Sequence, residues 1–375
     1  MPFFTALFRK RLLMPGMINF FQTLISFGFE NSKSDCSLFV QHKPSLIIVL
    51  VYVDDILVTG PHSSACQEFI HQLSTQFPVK DLGPLYFFLS LEIQRTTEGL
   101  FLSQGKYAHD LHVKTHMDGC KPCSTPLSTT KLDHTGPLLD NPSEYRSIVG
   151  ALQYLTWTRP NISFAVNQVC QFFQCPRESH FQAVKRILRF LKGSAHQGLW
   201  FKKGSLHLTA FSDADWAGCI FDRRSTSGYC VYFGPNLISW SAKKQHTVAR
   251  SSTEAEYRSL AYTAAELTWI CKILHDLHFP LRQVPHIWCD NVSAISLASN
   301  PVFHARTKHV EIDYHYIREL DLANLVKVQH VSTHHQVADI HTKALPKSRF
   351  KLLQSKLSLG SPPFSLREDK GTPHS

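Results

Sequence analysis

Two adjacent carboxylates, Asp54 and Asp55, stand inside a run that is otherwise apolar, residues 45–61 (SLIIVLVYVDDILVTGP). Burying such a pair is costly unless water, hydrogen bonds or a cation meets it. β-Branched and aromatic residues dominate on both sides, which predicts two buried strands around a tight acidic turn. Asp by itself is an ordinary turn residue. Hairpin turns favour Asp-Gly or Asn-Gly, however, and YVDD between two apolar strands is far more specific. Paired hard oxygen ligands of this kind suit Mg²⁺. The apolar run stops at Asp54, well short of the ~20 apolar residues that a spanning helix needs, so no membrane partner is expected.

At ~100–200 residues per domain, 375 residues predict two or three domains, each able to bury a core. A hydrophobic share of 43% with 18% charged residues excludes a disordered chain. The balance of 39 Lys and Arg against 29 Asp and Glu gives +10 and favours an anionic partner. Ten cysteines are scattered, and the pair Cys120 and Cys123 has no second pair nearby, so reduced thiols are expected rather than zinc or disulfides. The opening segment is apolar, basic and free of acids until Glu30, much as a transit peptide is. Arg9, Lys10 and Arg11 follow its first apolar stretch without an obvious small-residue cleavage site, and the segment is read as part of the chain.

Tyr52-Val53-Asp54-Asp55 with the following ILVTG resembles the catalytic palm turn of reverse transcriptases in its copia-type retrotransposon form. The resemblance continues through 80–94 (KDLGPLYFFLSLEIQ), where the family usually has Gly at Ser90, then 102–108 (LSQGKYA) and 120–128 (CKPCSTPLS). Segments 145–170 (YRSIVGALQYLTWTRPNISFAVNQVC) and 180–194 (HFQAVKRILRFLKGS) extend it, so that it covers roughly residues 20–350. A polymerase of this family needs a further aspartate on an earlier palm strand. Only Glu30 and Asp35 precede Asp54, and Asp35 lies in 34–40 (SDCSLFV), which matches a segment between the two palm strands. The expectation is a chain that does not polymerise DNA by itself.

No acid lies between Glu178 and Asp213, a span that carries Lys185, Arg186, Arg189, Lys192, Lys202 and Lys203. Phe181, Val184, Ile187, Leu188 and Leu191 recur at helical spacing, predicting an amphipathic helix with a basic face. That face is either ordinary solvated surface or a track for nucleic-acid phosphates.

From Ser205 the pattern becomes a compact α/β unit. Leu206, Leu208 and Ala210 alternate towards Asp213; a hairpin follows over 228–241, then a long helix from about Glu254 to Leu277. A short strand, 285–291, ends at Asp290, and a helix around 308–320, a strand over 325–331 and a helix from Val337 complete the unit. Asp213, Glu256, Asp290 and Asp339 thus fall at element edges. With 211–219 (FSDADWAGC), 251–262 (SSTEAEYRSLAY), 288–291 (WCDN) and 336–346 (QVADIHTKALP), they resemble the ribonuclease H domain of copia-type elements.

Each acid has a plainer alternative. Asp215 rivals Asp213, which is preferred because it closes the strand. Thr253 to Glu256 can be read as a capping box, and Glu254 competes with Glu256, which is preferred because the small Ser259 follows it as in related nucleases. Asp290 could cap the next helix, and Asp339 could serve a helix dipole. His334 and His335 are read as solvated loop residues. Segment 306–319 (RTKHVEIDYHYIRE) also fits the family, with Lys308 and His309 as phosphate contacts.

The resemblance implies an α/β (α+β) chain: a partial palm and connection, then a ribonuclease H-like mixed five-stranded sheet with helices on both faces. The expected limits are an unmatched segment 1–19, palm and thumb 20–130, helical connection 131–204, ribonuclease H-like domain 205–346, and a C-terminal helix with a disordered tail 347–375. It further implies an endonuclease cleaving the RNA strand of RNA/DNA hybrids, with two Mg²⁺ ions on Asp213, Glu256, Asp290 and Asp339. Asp54 and Asp55 would be metal ligands left in the palm. Lys185, Arg186, Arg189, Lys192 and Lys308 would bind nucleic acid. Cytoplasm and nucleus are the expected locations. The alternative is a non-catalytic nucleic-acid-binding remnant; association with another polymerase chain stays open.

Overall fold

The computed structural model describes residues 4–9, 14–299 and 311–363, with side chains over 19–298 and 315–363. Lys308, His309 and the expected tail beyond residue 363 lie outside the described residues. The chain divides into two compact units, one of residues 1–89 with 268–281 and one of 90–267 with 282–375.

The first unit is an antiparallel sheet in the order Glu30–Asn31, Leu38–Gln41, Ile47–Tyr52, Asp55–Gly60, Phe4–Arg9, Lys80–Pro84. Val49, Val51, Ile56 and Val58 alternate into its core. Helix Ser63–Gln76 adds Cys66, Phe69, Ile70 and Leu73, the stripe expected of 3.6-residue periodicity. Helix Met14–Ser26 adds Phe20 and Leu24. The segment expected to match nothing, 1–19, therefore contributes a strand, paired along the whole of Asp55–Gly60.

In the second unit a hairpin, Leu91–Arg95 and Gly99–Ser103, is extended by Gly198–Lys202 and then Leu359–Gly360. Helices Pro142–Leu155, Ser163–Cys170 and Glu178–Lys192 form a shared core around Tyr145, Leu152, Val166, Val184, Ile187 and Leu188. Tyr145 donates its hydroxyl to the Val169 carbonyl at 2.7 Å, so the buried phenol is satisfied.

A second sheet of this unit has the order Asn236–Lys244, Thr226–Phe233, Leu208–Ala214, His286–Cys289, Lys327–His330. Its first three strands pair antiparallel and the last two are parallel to Leu208–Ala214. This mixed sheet with helices on both faces is the ribonuclease H-like fold. Phe211 and Tyr232 on one face meet the connection helices and the C-terminal helix Lys347–Gln354, which inserts Phe350 and Leu353. On the other face the helix Ser252–Asp276 packs, its Ser259 hydroxyl bonded to the Ser212 hydroxyl at 3.1 Å. Among the described residues no helix is long and apolar enough to cross a membrane.

Candidate active site

Asp213 is the penultimate residue of Leu208–Ala214 and is completely buried. Its cross-strand partner is Gly228. A Cβ there would stand 2.7 Å from Thr342 Cγ2 and 2.8 Å from His341 Cβ, so glycine is what lets the short helix Asp339–Thr342 lie against the sheet beside Asp213. The strand end is pinned on both sides. Ser259 donates to the Asp213 carbonyl at 2.8 Å, and the buried Gln336 donates its Nε2 to the Ser212 carbonyl at 2.9 Å.

Asp339 opens that short helix and is buried. Lys343 Nζ lies 2.7 Å from Asp339 Oδ1 and 3.3 Å from Asp213. Arg349 donates to Asp339 Oδ2 at 2.9 Å and also holds the Thr333 and His334 carbonyls. Thr342 donates its hydroxyl to Asp213 Oδ2. His341, within the same turn, is fully buried, and burial holds its imidazole down at about 3, in the neutral form.

Asp290 follows the strand His286–Cys289 and accepts the Thr333 hydroxyl at 3.0 Å. The cap of helix Val292–Ser299 is not Asp290 but Asn291, whose side chain takes the Ala294 N–H at 3.0 Å. Glu256 is likewise released from capping. Helix Ser252–Asp276 starts two positions earlier than a cap at Thr253 would set it, and the Ser251 hydroxyl accepts the Glu254 N–H at 3.1 Å. Glu254 in turn binds the Arg250 N–H at 2.9 Å and Arg258 at 2.7 Å. Glu256 instead turns inward, accepting the Ala214 N–H with the Cys289 thiol 4.0 Å away. Ligand atoms of Glu256, Cys289 and Asp290 all lie within 4.8 Å of one another.

Electrostatics marks the four acids as one group. Burial pushes Asp213 up to about 6, with Asp339 and Asp290 adding to the shift and Lys343 opposing it. Burial, then Asp213 and Asp290, push Glu256 up to about 10. Carboxylates crowded beyond their compensating cations, all with hard oxygen donors, fit divalent-metal ligation. Asp215 points elsewhere: it accepts the Thr226 N–H, is pushed to about 6 by burial, and lines a neighbouring cleft of about 320 Å³ with Phe164, Phe172, Trp216 and Lys343.

The basic helix is more occupied than its pattern suggests. Arg186 donates to Thr125 Oγ1 at 2.7 Å and Arg189 to the Lys121 carbonyl at 2.8 Å, fastening segment 121–125. Lys185 lies 4.6 Å over the Phe181 ring, and Lys192 is exposed. In the first unit a tight turn joins the two strands as expected: Val53, at φ +49°, and Asp54 form it, and Asp55 opens the second strand opposite Tyr52. The strands flanking this hairpin, Phe4–Arg9 and Leu38–Gln41, carry no acid. Sequence reasoning missed Lys343, Arg349, Thr342 and Cys289. Only the spacing of Lys343, four residues after Asp339, offered a signal.

Residues 17–129 match the family described as reverse transcriptase (RNA-dependent DNA polymerase). The chain is 50% identical over 346 residues to a retrovirus-related Pol polyprotein from transposon RE1 of Arabidopsis thaliana, covering 91% of this chain and 24% of that protein. It therefore spans about a quarter of that relative's length. It is 32% identical over 253 residues to a putative transposon Ty5-1 protein of Saccharomyces cerevisiae, covering 65% of this chain and 82% of that protein. Among solved structures, a foamy viral protease-reverse transcriptase in complex with RNA/DNA hybrid aligns with TM-score 0.44 and 14% identity, over 80% of this chain and 37% of that one.

Proposed function

This chain belongs to the copia-type, retrovirus-related Pol polyprotein family, and from that premise we propose that its second unit hydrolyses the RNA strand of RNA/DNA hybrids with Mg²⁺. At the coarser level it is a retroelement region with a reverse transcriptase segment and a ribonuclease H-like fold. The observation that carries the finer reading is the convergence of Asp213, Glu256, Asp290 and Asp339 into one electrostatically coupled group.

Those four carboxylates would hold the metal. When bound, Mg²⁺ supplies a water of lowered pKa and stabilises charge developing at the scissile phosphate. The chain's own residues fix the geometry. Ser259 and Gln336 hold the strand end that carries Asp213. Arg349 ties Asp339 to the Thr333–His334 backbone, and Thr333 passes that anchorage to Asp290. Burial of Asp213 and Glu256 keeps bulk water off the two most desolvated ligands. Choice of the RNA strand would come from 2′-hydroxyl and groove-shape contacts.

The expected limits 20–130, 131–204 and 205–346 are kept as the proposed palm, connection and ribonuclease H regions, and cytoplasm and nucleus as the proposed locations. The palm pair Asp54 and Asp55 has no third carboxylate on the strands beside it, which supports a palm that does not polymerise alone.

The test is a labelled RNA/DNA hybrid with Mg²⁺ and the full chain, beside Asp290→Asn. Cleavage by the unmodified chain, lost in the variant, is expected. Hybrid binding with no cleavage would replace this reading with that of a non-catalytic binding module.

A further inference from the structure

We propose that the four carboxylates form two unequal cation positions, and that the ammonium of Lys343 is the resident cation of one of them. This rests on the divalent-metal reading above. Lys343 Nζ straddles the acids, 2.7 Å from Asp339 Oδ1 and 3.3 Å from Asp213. The second Asp339 oxygen is taken by Arg349 at 2.9 Å, and Asp213 Oδ2 also receives the Thr342 hydroxyl. All four oxygens of this pair thus face protein donors, two of them cationic side chains.

Glu256 and Asp290 are served differently. Glu256 accepts one backbone N–H and faces the neutral Cys289 thiol at 4.0 Å, and Asp290 accepts one hydroxyl, from Thr333. Among the described residues no ion pair reaches either. A divalent ion approaching the Glu256–Asp290 side therefore meets oxygens that no protein cation contacts directly, Lys343 acting on Glu256 only at longer range. An ion approaching between Asp213 and Asp339 has to displace an ammonium first.

Displacement is mechanically open to this lysine. Its side chain is 39% exposed, it leaves the backbone just beyond the helical turn of Asp339–Thr342, and its ammonium rides on a flexible four-carbon stem. Arg349 is less free, because its guanidinium is also bonded to the Thr333 and His334 carbonyls. Lys343 is thus a positioning residue that sets the concentration at which the second ion enters. It keeps Asp213 and Asp339 together when one ion or none is present.

The experiment is Mn²⁺ binding to the full chain, followed by calorimetry and by the electron paramagnetic resonance of free Mn²⁺. It compares wild type, Lys343→Met and Lys343→Arg, with circular dichroism to establish that each is folded. Wild type should show one tighter and one weaker site. Lys343→Met should tighten the weaker site by about tenfold or more, the scale of losing one close competing charge, and leave the tighter site in place. Lys343→Arg, which keeps the charge, should follow wild type. A weaker site unmoved in Lys343→Met overturns the role of Lys343 while leaving the metal centre standing. No Mn²⁺ binding by the folded wild type overturns the metal reading itself.

Discussion

Replacing Glu256 with Gln keeps the shape of the buried end of the site and removes its most displaced ionisation. In the fold, burial and the neighbouring Asp213 and Asp290 push Glu256 up to about 10 from an ordinary value of 4.5. Lys343 and the Ala214 N–H pull the other way and lose. The Cys289 thiol beside it is itself raised by burial, so it adds no charge at neutral pH. The folded chain therefore retains a proton that the unfolded chain gives up. Stability is fully present below the unfolded value and falls as pH rises, by about 1.4 kcal/mol per pH unit, until the folded group also titrates. From 4.5 to 7.5 the loss has a ceiling of roughly 4 kcal/mol. Asp213 near 6 shares the same repulsions and is not counted again. Urea unfolding in EDTA should find Glu256→Gln more stable than wild type by roughly 2–4 kcal/mol at pH 7.5, and equal to it at pH 4.5. Mg²⁺ should close the gap by stabilising wild type alone. Parallel stability curves for the two proteins between pH 4.5 and 7.5 would refute the reasoning.

Gly228→Ala should lift the Asp339 turn off the sheet, since its Cβ would sit 2.7 Å from Thr342 Cγ2; the expected loss is about 1–3 kcal/mol in urea unfolding, with weakened Mn²⁺ binding. Cd²⁺ should give an ultraviolet thiolate–metal band through Cys289, which stands 4.0 Å from Glu256. An undiminished band in Cys289→Ser would assign that absorption to another thiol. For nucleic-acid binding, Lys185→Gln with Lys192→Gln should reduce the salt slope of hybrid affinity by about 0.9 for each phosphate that the chain no longer neutralises. Arg186 and Arg189 are unsuitable probes, because removing them also frees segment 121–125.

Periodicity made the acidic hairpin, the long helix and the strand leading to Asp213 legible, because each alternates or repeats against a single buried face. The site was legible at the level of which acids stand at element edges. What stayed hidden depends on where a helix starts, to within one or two residues. Reading Thr253 as the cap leaves Glu256 serving the helix, whereas a cap at Ser251 assigns that duty to Glu254 and turns Glu256 inward. A shift of one residue the other way makes Asn291 the cap and releases Asp290. Nor could spacing reveal that Arg349 reaches back to Asp339, or that Arg186 reaches Thr125, 61 residues away. Such contacts come from tertiary packing, to which a local pattern is blind. Phe4–Arg9 shows the reverse: a segment in which no motif was read still has the apolar character to join a sheet.

The charge distribution supplies a physical reason for a metal in the proposed reaction. With all four acids ionised, Lys343 and Arg349 leave the group at −4 + 2 = −2, in a chain whose formal charge is +10. That local field repels a phosphodiester, although the molecule as a whole attracts one. The raised positions of Asp213 and Glu256 express this strain as retained protons. Protonation relieves the repulsion but also takes away the ligands. The four carboxylates would hold one divalent ion at neutrality without protons, and in the proposed arrangement a second would need Lys343 to leave Asp213 and Asp339 and would make the group attractive to phosphate. On this reasoning the surplus of acids over cations would keep the proposed site closed to a phosphodiester until metal binds.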